Sequence, residues 1–327
     1  MASFAEFGLN YQARSDFDPS QLTDAEMKED LDLFESQNIR HITVIAYWNS
    51  FEPTMGNYST TYLDRLIRFI DYANSRGFKV SMDTHCHMLG NGAPDWTSNY
   101  GNGQHDMTNV FNEPIRTHWL DLHTWLSQYL GSKLYSLQAW NEPYLSGDAQ
   151  NPDDFIQLFQ ETKDAWRTHS NSLFTIRTAI YGLHQFWDYQ QFYDICDYIT
   201  INFYPNRYSG HTYARLKTAI TKIEQHGKQW SFGEYGYDSW DDQTQYDGLK
   251  NILAETETEL NGYRKPERNM LWIWLRASSG GQWSLCDTGG SPRPAFQLLQ
   301  NLQPSPPPPS ILPLIIIGGL FFLLSRS

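Results

Sequence analysis

Two glutamates stand where carboxylate chemistry could be done. Residues 137–143 run Leu-Gln-Ala-Trp-Asn-Glu-Pro, an apolar stretch that stops at Asn141–Glu142 and is closed by Pro143. A strand that ends in a carboxylate and breaks at proline presents that carboxylate at its tip, not inside a sheet. Residues 229–237, Gln-Trp-Ser-Phe-Gly-Glu-Tyr-Gly-Tyr, form a second such run, with Glu234 between Gly233 and Gly236. Glycines there suit a sharp turn or a close approach to a ligand. Two carboxylates on separate strand tips are the minimum for cleaving a glycosidic bond. One is protonated and assists the leaving oxygen; the other is ionised and attacks the anomeric carbon or activates water.

The elements that must position them are read from periodicity. Strands are predicted at 6–11, 41–48, 79–84, 134–141, 173–178, 198–203, 229–235 and 269–275. Between them lie helical stretches. One opens at a capping box, Thr23 with Glu26, and presents Met27, Leu31 and Phe34 on one face. Others are predicted at 61–76, ending at Gly77, and at 114–131, 151–169, 215–226, 243–260 and 294–302. Eight strands joined by connections long enough for helices predict an α/β chain folded as a (β/α)8 TIM barrel over residues 1–303. In that fold the chemistry sits at the C-terminal strand tips. An open doubly wound sheet would need a Gly-rich phosphate loop after the first strand, and none is present. The Gly- and Asn-rich stretch after residue 84, running to about 109, is long enough to be a functional loop.

Composition narrows the partners. The net charge is −13 and no basic stripe occurs, which excludes a nucleic-acid partner. Aromatics make up 15% of the chain, with 12 Trp and 20 Tyr. They serve either a large core or sugar-stacking platforms, since these rings combine a wide apolar face with a polar edge. Trp96, Trp187, Trp240 and Trp283 fall in predicted loops, each a loop anchor or a platform. Cys86, Cys196 and Cys286 are too few and too scattered for a disulfide framework or a zinc knuckle, and read as small buried hydrophobes. No cofactor motif is found.

The end of the chain changes character. Residues 304–310 form a polyproline spacer, and 311–327 an apolar tail interrupted by Pro313 and ending Ser-Arg-Ser. A membrane partner through this tail is expected, as an anchor or as a tail processed for surface attachment, rather than a helix docked on the barrel. Arg326 on the inner side places the catalytic domain outside the cell. That orientation needs an export signal. Residues 1–3 lead straight into the first strand, so the expectation is a leader already removed.

Trp140-Asn141-Glu142-Pro143 and Phe232-Gly233-Glu234-Tyr235-Gly236 resemble the two catalytic signatures of clan A glycoside hydrolases, most closely family 5. Phe51-Glu52-Pro53 with Gly56, and Asp83-Thr84-His85, are similar to that family too, and the Glu-Pro-x-x-Gly feature is shared with the β-galactosidase-like families of the clan. A second copy, Asn112-Glu113-Pro114, follows no apolar strand and reads as a loop-to-helix junction. The resemblance implies Glu142 as acid/base and Glu234 as nucleophile in a double displacement with retention. It implies Asn141 on the sugar 2-hydroxyl, Tyr204 donating to Glu234, and His85 lining the site. Trp272 or Trp274 would lie under the sugar, with Trp48 and Asn202 at further strand ends of the site. A carboxyl beside Trp140 would be desolvated and hold its proton. The chain departs from the family at two positions. Thr43 stands where the family carries an arginine against the nucleophile, and Asn202 where it carries a histidine.

The expected activity is an endo-acting retaining β-glycosidase on a β-linked polysaccharide or oligosaccharide. A β-1,4-glucan is the first substrate and mannan the alternative. Two readings of other classes compete. His85-Cys86-His87 beside Asp83 could serve a metal-dependent barrel hydrolase, although strands five and six supply no further histidine. The altered Thr43 and Asn202 could mark a catalytically dead carbohydrate-binding barrel.

Overall fold

The computed structural model describes residues 6–11, 22–84, 93–100, 110–143, 151–180, 183–205, 207–273, 282–287 and 290–300. Eight parallel strands close into one barrel in sequence order: β1 (Phe7–Tyr11), β2 (His41–Ala46), β3 (Lys79–Thr84), β4 (Ser136–Asn141), β5 (Leu173–Ala179), β6 (Tyr198–Phe203), β7 (Gln229–Tyr235) and β8 (Asn269–Ile273). Closure is made by β1 against β8, Phe7 opposite Asn269 through Tyr11 opposite Ile273. The strands are buried along almost their whole length because both faces are covered.

The outer layer is α1 (Asp24–Ser36), α2 (Trp48–Phe51), α3 (Thr60–Ser75), α4 (Ile115–Leu130), α5 (Pro152–Arg167), α6 (Gln190–Ile195), α7 (Tyr213–Gln225), α8 (Asp242–Glu259) and α9 (Pro294–Gln300). The capping box forms: Thr23 Oγ1 accepts from Glu26 N–H, and the Glu26 carboxylate accepts from Thr23 N–H. α3 turns Leu63, Leu66, Phe69, Ile70 and Ala73 onto the barrel and stops at Gly77, whose φ of +81° a side chain would resist. α5 starts as its sequence implies, with Asn151 capping and Pro152 in the first turn.

Side chains alternate between the interior and this outer layer except where the pairing register shifts, between Gln138 and Asn141 on β4 and where β7 passes Ile201 and Asn202 of β6, and that decides which residues can reach the site. Trp140 points outward. Its ring lies 4.5 Å from Trp119 of α4 and 5.6 Å from Phe155 of α5, so it builds core and does not cover Glu142. β2 ends at Ala46, earlier than the predicted 48, and the chain turns into α2. Trp48 is thereby tucked behind the barrel wall, not at a strand tip.

The N-terminal ends of the strands carry a polar network of their own. His41 Nε2 and Ser81 Oγ are 2.9 Å apart, Ser81 and Ser136 2.7 Å, and Ser136 and Tyr198 2.8 Å. The Arg268 guanidinium reaches His41 Nδ1 at 3.3 Å and lies over the rings of Tyr135 and Tyr198 at 4.8 and 5.0 Å. His41 therefore sits neutral between a cation and a hydroxyl. Burial, then Arg268 and Lys79, push its pKa well below the ordinary value. Polar residues at this end of a barrel serve stability.

Residues 304–310 and 311–327 lie outside the described residues, as does the predicted extension of the last strand beyond residue 273. Among the described residues no helix is long and apolar enough to cross a membrane.

Candidate active site

Glu142 follows the last residue of β4 and Glu234 lies within β7. Glu142 takes a φ of +52°, a left-handed backbone that a non-glycine residue adopts at a cost of about 1–3 kcal/mol unless its surroundings impose it. The imposing contact is Glu142 N–H to the carbonyl of Arg177 on the neighbouring β5, 2.7 Å. This turn lifts the carboxyl out of the sheet and leaves Glu142 partly exposed, while Glu234 is 7% exposed.

The surroundings of the two carboxyls differ in kind. Glu234 Oε1 accepts from Arg177 Nη1 at 3.1 Å, and Oε2 accepts from the Tyr204 hydroxyl. A guanidinium and a phenol donating to one carboxylate favour its ionised form. Glu142 Oε1 accepts from Asn202 Nδ2 at 2.7 Å, a neutral donor that also reaches Asn141 Oδ1 at 3.3 Å. Asn202 lies opposite Glu234 in the β6–β7 register, so one amide stands between the two acids. Gly233 is required by this crowding. A Cβ there would lie 2.9 Å from Asn202 Oδ1 and 3.0 Å from Arg177 Cγ.

Arg177 is the residue that the sequence reading missed. It is fully buried, and its guanidinium also binds Asp83 Oδ2 at 2.9 Å, Gln138 Oε1 at 3.0 Å and Asn10 Oδ1. The positive charge expected from strand two is supplied instead by β5, and Thr43 is a buried residue of β2. An arginine inside an otherwise uncharged, β-branched strand was the available signal, because a buried arginine is tolerated only when paired.

His211 was missed as well. It is buried in the connection to α7, and its Nδ1 accepts from Tyr204 N–H at 2.9 Å. The other nitrogen then carries the proton of the neutral ring. Burial pushes the pKa down to about 4, against the opposing pull of Glu142 and with a smaller push from Arg215. His211 thus steadies the backbone of the residue whose hydroxyl holds Glu234. Removing that hydroxyl in Tyr204→Phe should lower kcat/KM by ~10- to 100-fold with the fold intact, the worth of one hydrogen bond to a charged group. Steady-state kinetics beside a thermal melt check it.

The other predicted site residues divide. Asn141, Asn202 and Tyr204 gather around the two glutamates. Trp48 does not. It has no exposed surface, donates its indole N–H to Glu52 at 2.8 Å, and packs on Trp96 and Trp119 at 5.7 and 5.3 Å. Trp272 lies in β8 with its side chain outside the described residues, and His85 and Trp274 lie outside them altogether. Of the loop tryptophans, Trp96 is an anchor that donates to the Glu52 carbonyl at 3.0 Å, and Trp187 packs against the core. Trp283 lies 4.4 Å from the Tyr204 ring, beside the Glu234 strand, and Trp240 is 69% exposed.

Glu52 is a buried structural carboxylate. It accepts from Gly56 N–H at 2.7 Å and from Trp48, with His118 Nδ1 at 2.7 Å. Glu113 is exposed and accepts from Thr117 at the start of α4, a loop-to-helix junction as its sequence indicated. Cys196 and Cys286 are buried free thiols whose pKa values burial raises; Cys86 lies outside the described residues. Among the described residues no cluster of three or more His, Cys, Asp or Glu is arranged for a metal, and Asp83 is engaged by Arg177. His85, Cys86 and His87 are not among those residues.

Comparison with known proteins bears on the fold. The glycoside hydrolase family 42 model, described as beta-galactosidase, matches residues 16–102. That stretch contains the Glu52–Gly56 feature and neither Glu142 nor Glu234. No curated protein matches the chain. Among solved structures, an exo-beta-1,4-mannosidase from Opitutaceae bacterium strain TAV5 superposes with a TM-score of 0.71 at 18% identity, over 91% of this chain and 59% of that one. The chain thus spans under two thirds of that protein. GH5_18 from Streptomyces cattleya, in complex with Manβ1-4GlcNAc, gives 0.71 at 15% identity, over 93% and 83%. Endo-glycoceramidase II from Rhodococcus sp. gives 0.63 at 16% identity, over 91% and 78%. The barrel fold is shared with these glycosidases, and both comparisons support the resemblance to clan A glycoside hydrolases.

Proposed function

We propose that the chain is a retaining β-glycosidase working by double displacement. The observation that carries this reading is the unequal treatment of two glutamates on one rim: Glu234 held by Arg177 and Tyr204, Glu142 held by the neutral amide of Asn202 and open to water. In the first step the Glu234 carboxylate attacks the anomeric carbon. The bond to the leaving oxygen breaks, and Glu142 gives that oxygen its proton. In the second step Glu142, now a carboxylate, takes a proton from water. The hydroxide so formed attacks the same carbon, and Glu234 leaves. Asn141, next to Glu142 in the chain and bonded by Asn202, suits a hydrogen bond to the 2-hydroxyl.

For the substrate we infer a β-linked gluco- or manno-configured glycoside. The solved neighbours are a mannosidase, a protein holding Manβ1-4GlcNAc and a β-glucosidase, as well as the glycoceramidase. The endo-β-1,4-glucan expected from the sequence is one arm of the test. The test is a panel of aryl β-mannosides, aryl β-glucosides, β-1,4-manno-oligosaccharides and cello-oligosaccharides. The anomeric form of the first product is read by proton NMR. Release of a β-anomer supports the reading. An α-anomer as first product, or binding of a glycan without its cleavage, overturns it.

A further inference from the structure

The arginine that holds Glu234 is not devoted to it. One nitrogen, Arg177 Nη1, serves two carboxylates, Asp83 Oδ2 at 2.9 Å and Glu234 Oε1 at 3.1 Å. The side chains of Arg177 and Asp83 have no exposed surface and that of Glu234 has 9%. The rest of the guanidinium is spent on the neutral oxygens of Gln138 and Asn10. Two anions therefore share one cation where water cannot screen them. In such a place each anion weakens the cation's hold on the other.

We propose that Asp83 is a positioning residue that acts through Arg177, and that this sharing sets how strongly Glu234 is held as an anion. The inference rests on the reading of Glu234 as nucleophile only for its consequence on rate. The chemical sense is direct. A carboxylate locked to a guanidinium of its own is a poor nucleophile, because its electron pair is already stabilised. One with no cation takes up a proton more readily, because burial penalises its charged form. Asp83 holds Glu234 between these extremes from across the barrel, β3 against β7, with β5 midway between them supplying the link.

Several described groups face Glu234. Arg177 faces it from β5, with Asp83 behind from β3, and Tyr204 from the end of β6. Glu142 stands beyond Asn202, and His211 behind Tyr204 is neutral above about pH 4. Asp83→Asn keeps the shape and an acceptor for Arg177 but removes the competing charge. The whole field of Arg177 then falls on Glu234. Adding Arg177→Gln removes the cation together with the Asp83 charge it paired, and Glu234 keeps the Tyr204 hydroxyl as a donor.

The experiment titrates Glu234 itself in the full chain, by carbon NMR of protein labelled at the glutamate carboxyls. The resonance is assigned by its loss in Glu234→Gln. In Asp83→Asn the Glu234 titration should move down by about one pH unit. From that variant to the double variant it should move back up by about one unit or more. The acidic limb of kcat/KM on an aryl glycoside should follow both steps. If the resonance does not move, or moves up in Asp83→Asn, charge sharing is overturned whatever the activity. If the resonance moves as expected and the acidic limb stays fixed, charge sharing stands and Glu234 is not the nucleophile. A purely structural role for Asp83 would lower the melting temperature and leave the titration unmoved.

Discussion

Glu234→Gln is expected to lower kcat on any β-glycoside that the parent cleaves by about 10⁴-fold or more, because no covalent intermediate can then form. The amide is the same size and still offers Arg177 an oxygen, so the fold should survive and the loss is chemical. Glu234→Gly opens room beside the anomeric carbon, and azide should restore turnover while giving the glycosyl azide of inverted configuration. Glu142→Gln should behave differently. Its loss should be large for a sugar leaving group and far smaller for a good phenolate, which departs without a proton. Rates on a leaving-group series separate the two roles. Two variants that respond alike across the series would sink the assignment.

Acidification is expected to unfold the protein early. His41, His123 and His211 are all buried and neutral. Burial pushes His123 down to about 4, although its Nδ1–H donates to the Trp119 carbonyl at 2.8 Å, and His211 likewise to about 4. In the unfolded chain each takes up a proton near its ordinary value of about 6.5. Between about pH 4 and 6.5 the unfolded state therefore binds more protons than the folded one, so stability rises with pH through that window. Above about 6.5 it is fully present. Going down to pH 4 costs at most roughly 3 kcal/mol for His123, and less for His211, which lies near the open rim. The melting temperature should be level from pH 8 to 6.5, then fall by on the order of 10 °C by pH 5. His123→Gln should flatten part of that slope. A melting temperature that holds steady down to pH 4.5 refutes the account.

The barrel was legible in the sequence because parallel strands buried on both faces are continuous apolar runs, and eight of them alternate with amphipathic helices. Boundaries held where local chemistry set them, at Thr23, Gly77 and Pro152. They slipped where tertiary packing set them. Nothing local tells that β2 ends at Ala46 and that Trp48 turns behind the wall. The glutamate pair was legible because a carboxylate closing an apolar run is conspicuous. Arg177 was not, because its partners Asn10, Asp83, Gln138 and Glu234 lie on four other strands, and only closure of the ring brings them together. His211 was hidden for the same reason, in a loop whose register with Tyr204 no periodicity encodes.

The barrel carries two polar clusters at opposite openings. His41, Ser81, Ser136, Tyr198 and Arg268 tie the strand beginnings together, and Glu142, Arg177, Asn202 and Glu234 lie toward the finishes. Inheritance can therefore work on them separately. Replacements in the upper loops can reshape the upper cluster while the lower ring keeps the chain folded. Changes in the lower ring can adapt a lineage to heat or acid without altering the upper cluster. A mutant library confined to one opening should accordingly yield variants of one kind only.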